Sequence, residues 1–156
     1  MTDEDQDTAD VIALPPLIYA VPLVVGLVLN AVRPVTVAPR ALARVVGLAL
    51  IGAAVAVGVA ALAALRTAGT PPDPRKPTTT IVVAGPYRVS RNPIYLAFTL
   101  LYAGVAVFAN ALWAAVLLPG VLLVMQRGVI EREERYLERR FGDEYRRYKA
   151  RVRRWV

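Results

Sequence analysis

The chain has 156 residues, is 56% hydrophobic with a mean hydropathy of +0.46, and carries a net charge of +7. That length is one domain, and that apolarity is too high for a soluble domain of the size, so the composition predicts an integral membrane protein. Cysteine and histidine are both absent, which excludes disulfides, thiolate nucleophiles and thiolate metal sites and removes the commonest metal ligand and general base; no metal is expected.

Charge is distributed unevenly. Residues 1–10 carry Asp3, Glu4, Asp5, Asp7 and Asp10 without a cation, and they read as a disordered acidic tail. Most Lys and Arg fall after Arg127. Cations beside apolar spans answer to anionic lipid headgroups and to the positive-inside rule, so membrane lipids are the expected partners and nucleic acid is not. Two transmembrane helices are expected within 11–65. The first runs from about Val11 to Val32 and contains Pro15, Pro16 and an interior Pro22, which is expected to kink it. The second runs from about Ala41 to Leu65, with Arg44 its only charge and Gly47, Gly52 and Gly58 giving it a smooth packing surface.

Residues 66–93 form a long proline-rich connection with a β-branched patch, Ile81-Val82-Val83, that is compatible with a strand-like piece. Residues 94–126 read as a transmembrane helical hairpin turning at Asn110, each arm short for a span. Residues 127–156 read as a C-terminal amphipathic cytoplasmic segment. Leu137, Phe141, Tyr145, Tyr148, Val152 and Trp155 recur at three- and four-residue intervals, and Gly142 divides the run into two helices. The expected fold class is therefore all-α integral membrane, with about four transmembrane helices in a bacterial-type plasma membrane and both termini cytoplasmic. That topology brings the connection before Pro93 and the segment after Gln126 to the same face.

Two stretches on that face carry chemistry. Ala84-Gly85-Pro86-Tyr87-Arg88-Val89-Ser90-Arg91-Asn92-Pro93-Ile94-Tyr95 is basic and turn-rich, and its two prolines exclude regular helix or a central strand. The adjacent Glu133 and Glu134 point in different directions on a helix, so one is expected to form a salt bridge while the other faces the basic loop. Carboxylates, Arg91, Asn92 and tyrosines together suit a zwitterionic cofactor bearing an amino group and a carboxylate.

The pattern Gly85-Pro86-Tyr87-Arg-x-x-Arg91-Asn92-Pro93-x-Tyr95, followed by Glu133-Glu134-x-x-Leu137-x-x-x-Phe141-Gly142-x-x-Tyr145-x-x-Tyr148-x-x-Arg151-Val152, resembles the isoprenylcysteine carboxyl methyltransferase and phospholipid methyltransferase superfamily. The resemblance covers the second half of the chain. It implies an integral membrane enzyme that transfers methyl from S-adenosylmethionine to a lipid or other amphiphilic acceptor. On the matching positions, Gly85, Pro86, Tyr87 and Pro93 would form the cofactor wall. Arg91 would position the acceptor or cofactor carboxylate, Tyr95 and one or both of Glu133 and Glu134 would meet the methionine end, and Tyr145, Tyr148 and Arg151 would close the site. Arg91, Asn92 and Glu134 would stand at the transfer step.

Asn92 stands where the prenylcysteine enzymes usually have His, and Arg153 where they often have Pro. An amide hydrogen-bonds but exchanges no proton near neutrality, so Asn92 is not a general base. An anionic acceptor needs no base at the transfer step, which favours a carboxyl acceptor. A phospholipid or amine N-methyltransferase is the alternative. A nicotinamide-dependent membrane reductase lacks its dinucleotide fingerprint here, and a non-enzymatic membrane interaction protein predicts no binding of S-adenosylmethionine.

Overall fold

The computed structural model describes residues 11–73 and 76–156. The predicted acidic tail therefore lies outside the described residues. Among those described there is no β-strand; Ile81-Val82-Val83 is irregular chain, and the strand-like expectation is not met. The elements are α1 (Pro15–Val32), α2 (Arg40–Thr67), a 3-10 turn (Gly85–Arg88), α3 (Pro93–Phe108), α4 (Leu112–Met125), a π-turn (Gln126–Ile130), α5 (Glu131–Phe141) and α6 (Asp143–Arg151).

Prolines set two of the starts. Pro15 and Pro16 open α1 and Pro93 opens α3, positions where the missing N–H is an orphan in any helix. The first helix thus begins at Pro15 rather than at Val11. Pro22 lies within a helix that runs unbroken to Val32. α1, α2 and the continuous helical run Leu112–Phe141 are long and apolar enough to cross a membrane, whereas α3 is a shorter apolar helix. Their outward faces carry Val24, Val28, Val45, Leu48, Val55, Val59, Val116 and Leu123, all more than one-third exposed, as expected where lipid rather than water is the neighbour.

The helices pack chiefly as two antiparallel pairs, α1 with α4 and α2 with α3. Small residues permit this. A Cβ added at Gly26 would run into the Ala114 backbone, and one added at Gly47 would stand 2.6 Å from Phe108 Cα. Close backbone approach of this kind is how helices associate in lipid, where apolar burial offers little advantage over contact with acyl chains. Tyr19, Tyr95, Tyr102, Val121, Met125, Val129 and Ile130 form the buried core where the pairs meet.

At one end the α3–α4 turn is fixed by Asn110, which is buried and has φ +52°. Its Oδ1 accepts from the N–H groups of Val37 (2.8 Å) and Ala38 (3.2 Å), and its Nδ2 donates to Ala38 O at 2.7 Å. The tip thereby satisfies backbone groups of the α1–α2 connection, and asparagine tolerates the left-handed region better than most residues. At the other end Ile12 packs over Gly128 in the π-turn, and its N–H donates to Gly128 O at 3.3 Å. Gly142, with φ +53°, separates α5 from α6 as its sequence position predicts.

Candidate functional site

A cleft enclosing about 830 Å3 of atom-free space, part of it open to solvent, lies at the end of the bundle opposite Asn110. Its walls come from four places in the sequence. Leu65 closes α2. Thr70, Asp73, Thr78, Thr80 and Val82 belong to the connection. Tyr87, Arg91, Asn92, Pro93 and Tyr95 come from the 3-10 turn and the start of α3. Glu133, Glu134, Leu137, Tyr145 and Tyr148 come from α5 and α6.

The connection is held in place by its own hydroxyls and by α5. Thr70 and Thr79 hydroxyls are 2.7 Å apart, Thr79 Oγ1 donates to Gly69 O at 3.1 Å, and Thr78 N–H donates to Tyr136 Oη at 3.1 Å. Pro86 stands at the opening of the 3-10 turn that sets Tyr87, whose carbonyl accepts from the Tyr148 hydroxyl at 2.8 Å. Gly85 has φ +56°, a conformation that only glycine adopts freely, so it shapes this turn. Gly85 and Pro86 do not line the cleft.

The two carboxylates have different surroundings, and the ion-paired one is also the one that meets the basic loop. Glu134 is buried and ion-paired: its Oε1 lies 3.2 Å from Arg91 Nη2, while Arg154 Nε and Nη2 donate to Oε1 and Oε2 at 3.0 and 2.8 Å. Those hydrogen bonds raise the pKa of Arg154 above its ordinary value. Glu133 instead shares a hydrogen bond with the Tyr95 hydroxyl. Burial pushes its carboxyl up to about 7, Tyr95 pulls it down, and the charge of Glu134 pushes it up further. The tyrosines around them stay neutral near physiological pH: burial pushes Tyr148 up to about 12 and raises Tyr87 and Tyr145 further.

Arg91 is the chemically unfinished residue. Its side chain is 9% exposed, and its Nε and Nη1 are buried without a hydrogen-bond partner. Buried polar groups are nearly always paired, and an unpaired donor costs about 1–3 kcal/mol, more when charged. Arg91 lines the cleft, and a guanidinium with unpaired donors is the group there best suited to receive an anion. The cleft thus presents unpaired guanidinium donors of Arg91 and the buried carboxyl of Glu133 on facing elements.

Of the residues the sequence assigned, Tyr87, Arg91, Asn92, Pro93, Tyr95, Glu133, Glu134, Tyr145 and Tyr148 line one cleft, whereas Arg151 is exposed and stands away from it. The reason is that α6 ends at Arg151, and the chain beyond runs extended along Ser90 and Arg91, pairing Ser90 with Arg153. The cation from this end of the chain that joins Arg91 on Glu134 is Arg154, which sequence reasoning missed because one arginine among Arg151, Arg153 and Arg154 looks like another. Trp155 likewise packs on the core from outside a helix. Tyr136, absent from the predicted apolar series, is buried and braces the connection. The π-turn had no sequence signal except Gly128. Asn92, assigned to the transfer step, has its amide committed: Nδ2 donates to Arg154 O at 3.0 Å.

These features define a helical membrane protein with a polar cleft at the end of its bundle. The phospholipid methyltransferase family model matches residues 42–144, more than half of the chain, and the protein belongs to that family, within the superfamily that includes the isoprenylcysteine carboxyl methyltransferases. A Haemophilus influenzae protein described only as uncharacterized is 54% identical over 44 residues, which cover 28% of this chain and 67% of that one. No solved structure matches the chain.

Proposed function

We propose that the protein uses S-adenosylmethionine to methylate an amphiphilic acceptor at the membrane surface. The observation that carries this reading is the pairing, in one cleft, of Arg91 with two unpaired buried donors and Glu133 without a cationic partner among the interactions that set its charge. A zwitterion satisfies both. Arg91 Nε and Nη1 would hold the carboxylate of the cofactor's methionine end and Glu133 its ammonium. The bound group supplies an electrophilic methyl on a sulfonium.

The remaining residues orient and desolvate. Tyr95 holds Glu133 through its hydroxyl, Glu134 fixes one arm of Arg91, and Leu65, Val82, Pro93 and Leu137 give the cleft apolar wall. Excluding water raises the worth of every fixed charge in the site and leaves a nucleophile less solvated. Alignment of the reacting groups accounts for several kcal/mol more.

With Glu133 committed to an ammonium and Glu134 to two guanidinium groups, both carboxylates of the α5 wall are engaged, the neutral tyrosines are poor bases, and Asp73 of the connection is the further carboxylate on the cleft. An acceptor that arrives as an anion, a carboxylate first, needs none of them as a base and is the reading we favour. The family description favours a second reading, a phospholipid headgroup amine, in which Glu133 with its carboxyl near 7 takes the acceptor's proton.

The proposed topology has four spans with both termini cytoplasmic. α3 is short, yet it lies along α2 from Phe108 at Gly47 to Ala97 at Gly58, and the 3-10 turn carries the chain on to Ala64. Isothermal titration of S-adenosylmethionine into the detergent-purified protein tests the cofactor; the expected result is saturable binding below millimolar, and its lack overturns the enzyme reading. Incubating the protein with radiolabelled cofactor and either an anionic or an aminolipid amphiphile then decides the acceptor: a base-labile ester supports the first reading, a methylated amine the second.

A further inference from the structure

We propose that Arg154 is the positioning residue of the site and that the extended segment 152–156 is the strap that holds it there. This rests on the reading of the cleft as a cofactor site. The family match ends at residue 144, so nothing in that comparison assigns the segment.

The strap is anchored by backbone and side chain together. Arg91 N–H donates to Arg153 O at 2.9 Å. Ser90 Oγ and Asn92 Nδ2 both donate to Arg154 O, at 3.3 and 3.0 Å. Trp155 packs on the core cluster beyond. The Arg154 guanidinium is thereby aimed back at Glu134, which it meets as a two-pronged fork, while its Nη1 lies 3.7 Å from Glu131 Oε1. Asn92 is part of this anchor, which gives the amide at that position a use that needs no proton exchange.

The consequence falls on Arg91. A fork of two parallel hydrogen bonds is the favoured way for a guanidinium to meet a carboxylate. Alone with Glu134, Arg91 would turn its own fork onto both oxygens and satisfy itself. Arg154 already occupies both oxygens, so Arg91 reaches Glu134 with Nη2 alone, and Nε and Nη1 remain unpaired beside the cleft. Arg154 thus acts through Arg91, keeping a buried cation available to a ligand by competing for its internal partner.

The test measures the dissociation constant of S-adenosylmethionine and the kcat of the full chain in detergent. Arg154→Ala is expected to weaken binding about tenfold with kcat at saturation changed less than about threefold, and Arg154→Lys, which can restore one bond but not the fork, is expected to fall between. In an Arg91→Ala background the same Arg154→Ala change is expected to weaken binding by less than about twofold, because the residue through which it acts is gone. Wild-type affinity in Arg154→Ala, or an undiminished effect in the Arg91→Ala background, overturns the proposal. A wild-type protein that binds no S-adenosylmethionine overturns the cofactor reading instead. The strap itself is then judged by hydrogen exchange at the Arg91 amide, expected to quicken at least about tenfold in Arg154→Ala; unchanged exchange there overturns the strap.

Discussion

Protonating Glu133, or replacing it by glutamine, removes the charge that the proposed site offers to a cofactor ammonium. Burial places that carboxyl at about 7. A single titration with this midpoint leaves about one carboxylate in a hundred ionised at pH 5 and about three in four at pH 7.5. The dissociation constant for S-adenosylmethionine is therefore expected to be at least about tenfold weaker at pH 5 than at pH 7.5 through this group alone. Above about pH 8 the ligand's own α-amino group loses its proton and affinity falls again, which makes the profile bell-shaped. Isothermal titration at several pH values, on wild type and Glu133→Gln, isolates the Glu133 contribution from other titrating groups. The variant is expected to bind weakly at every pH and to lose the slope between pH 5 and 7. A flat wild-type profile, or a variant that keeps the wild-type slope, refutes the assignment. The ligand-free protein responds with the opposite sign. A folded-state value raised above the ordinary 4.5 means the folded state holds the proton more tightly, so this contribution to stability is full below about 4.5 and is lost as pH rises through about 7. Thermal unfolding of wild type against Glu133→Gln at pH 5 and 7.5 reads that difference.

Arg91→Ala is expected to abolish methyl transfer and to weaken cofactor binding about a hundredfold, still measurably, in a protein that inserts and folds. Arg91→Lys should recover little, since a point cation lacks the planar donors left free on Nε and Nη1; full activity in the lysine variant would show that those donors are not used. Asn110→Ala loses the three bonds to Val37 and Ala38 and puts a non-glycine residue without a side-chain amide at φ +52°, a cost of about 2–4 kcal/mol. Asn110→Gly relieves the backbone part only, so its unfolding midpoint in a denaturant titration should fall between wild type and alanine. Gly47→Ala forces a Cβ against the Phe108 backbone and is expected to cost about 1–3 kcal/mol by separating α2 from α3, read as a lowered thermal midpoint with cofactor affinity falling in parallel.

The membrane character and the helix positions were legible because hydropathy and proline placement act locally: Pro93 starts a helix and Gly142 ends one whatever else the chain does. The meeting of Arg91 with Glu134 was legible only through two spaced motifs and a topology that returned both to one face. Three features were not. Arg154 differs from its arginine neighbours only in where an extended backbone points it, and backbone direction after a helix end is set by the Ser90–Arg91 partner, not by local sequence. Arg151 read as part of the site because the family pattern was carried onto it, whereas it is the exposed last residue of α6. The π-turn meets Ile12 at Gly128, a contact across more than a hundred residues that no local pattern reveals. Ile81-Val82-Val83 has strand propensity but no neighbouring strand to pair with, so tertiary context overrode it.

The division of the bundle into two helix pairs has a mechanical meaning. Arg91 and Tyr95 ride with α2 and α3, whereas Glu133 and Glu134 sit on the rod Leu112–Phe141, which α1 steadies. That rod is about 45 Å long at helical rise, and it is gripped by acyl chains over its first half. A tilt of about 5° of one pair against the other, of the size a thinner or thicker bilayer imposes, moves the carboxylates by about 2 Å at a lever arm of about 20 Å. Hydrogen bonds do not survive such a displacement. Methyl transfer in vesicles of graded acyl length is accordingly expected to peak at one bilayer thickness, with the lipid chains acting as the gauge that sets the jaws of the site.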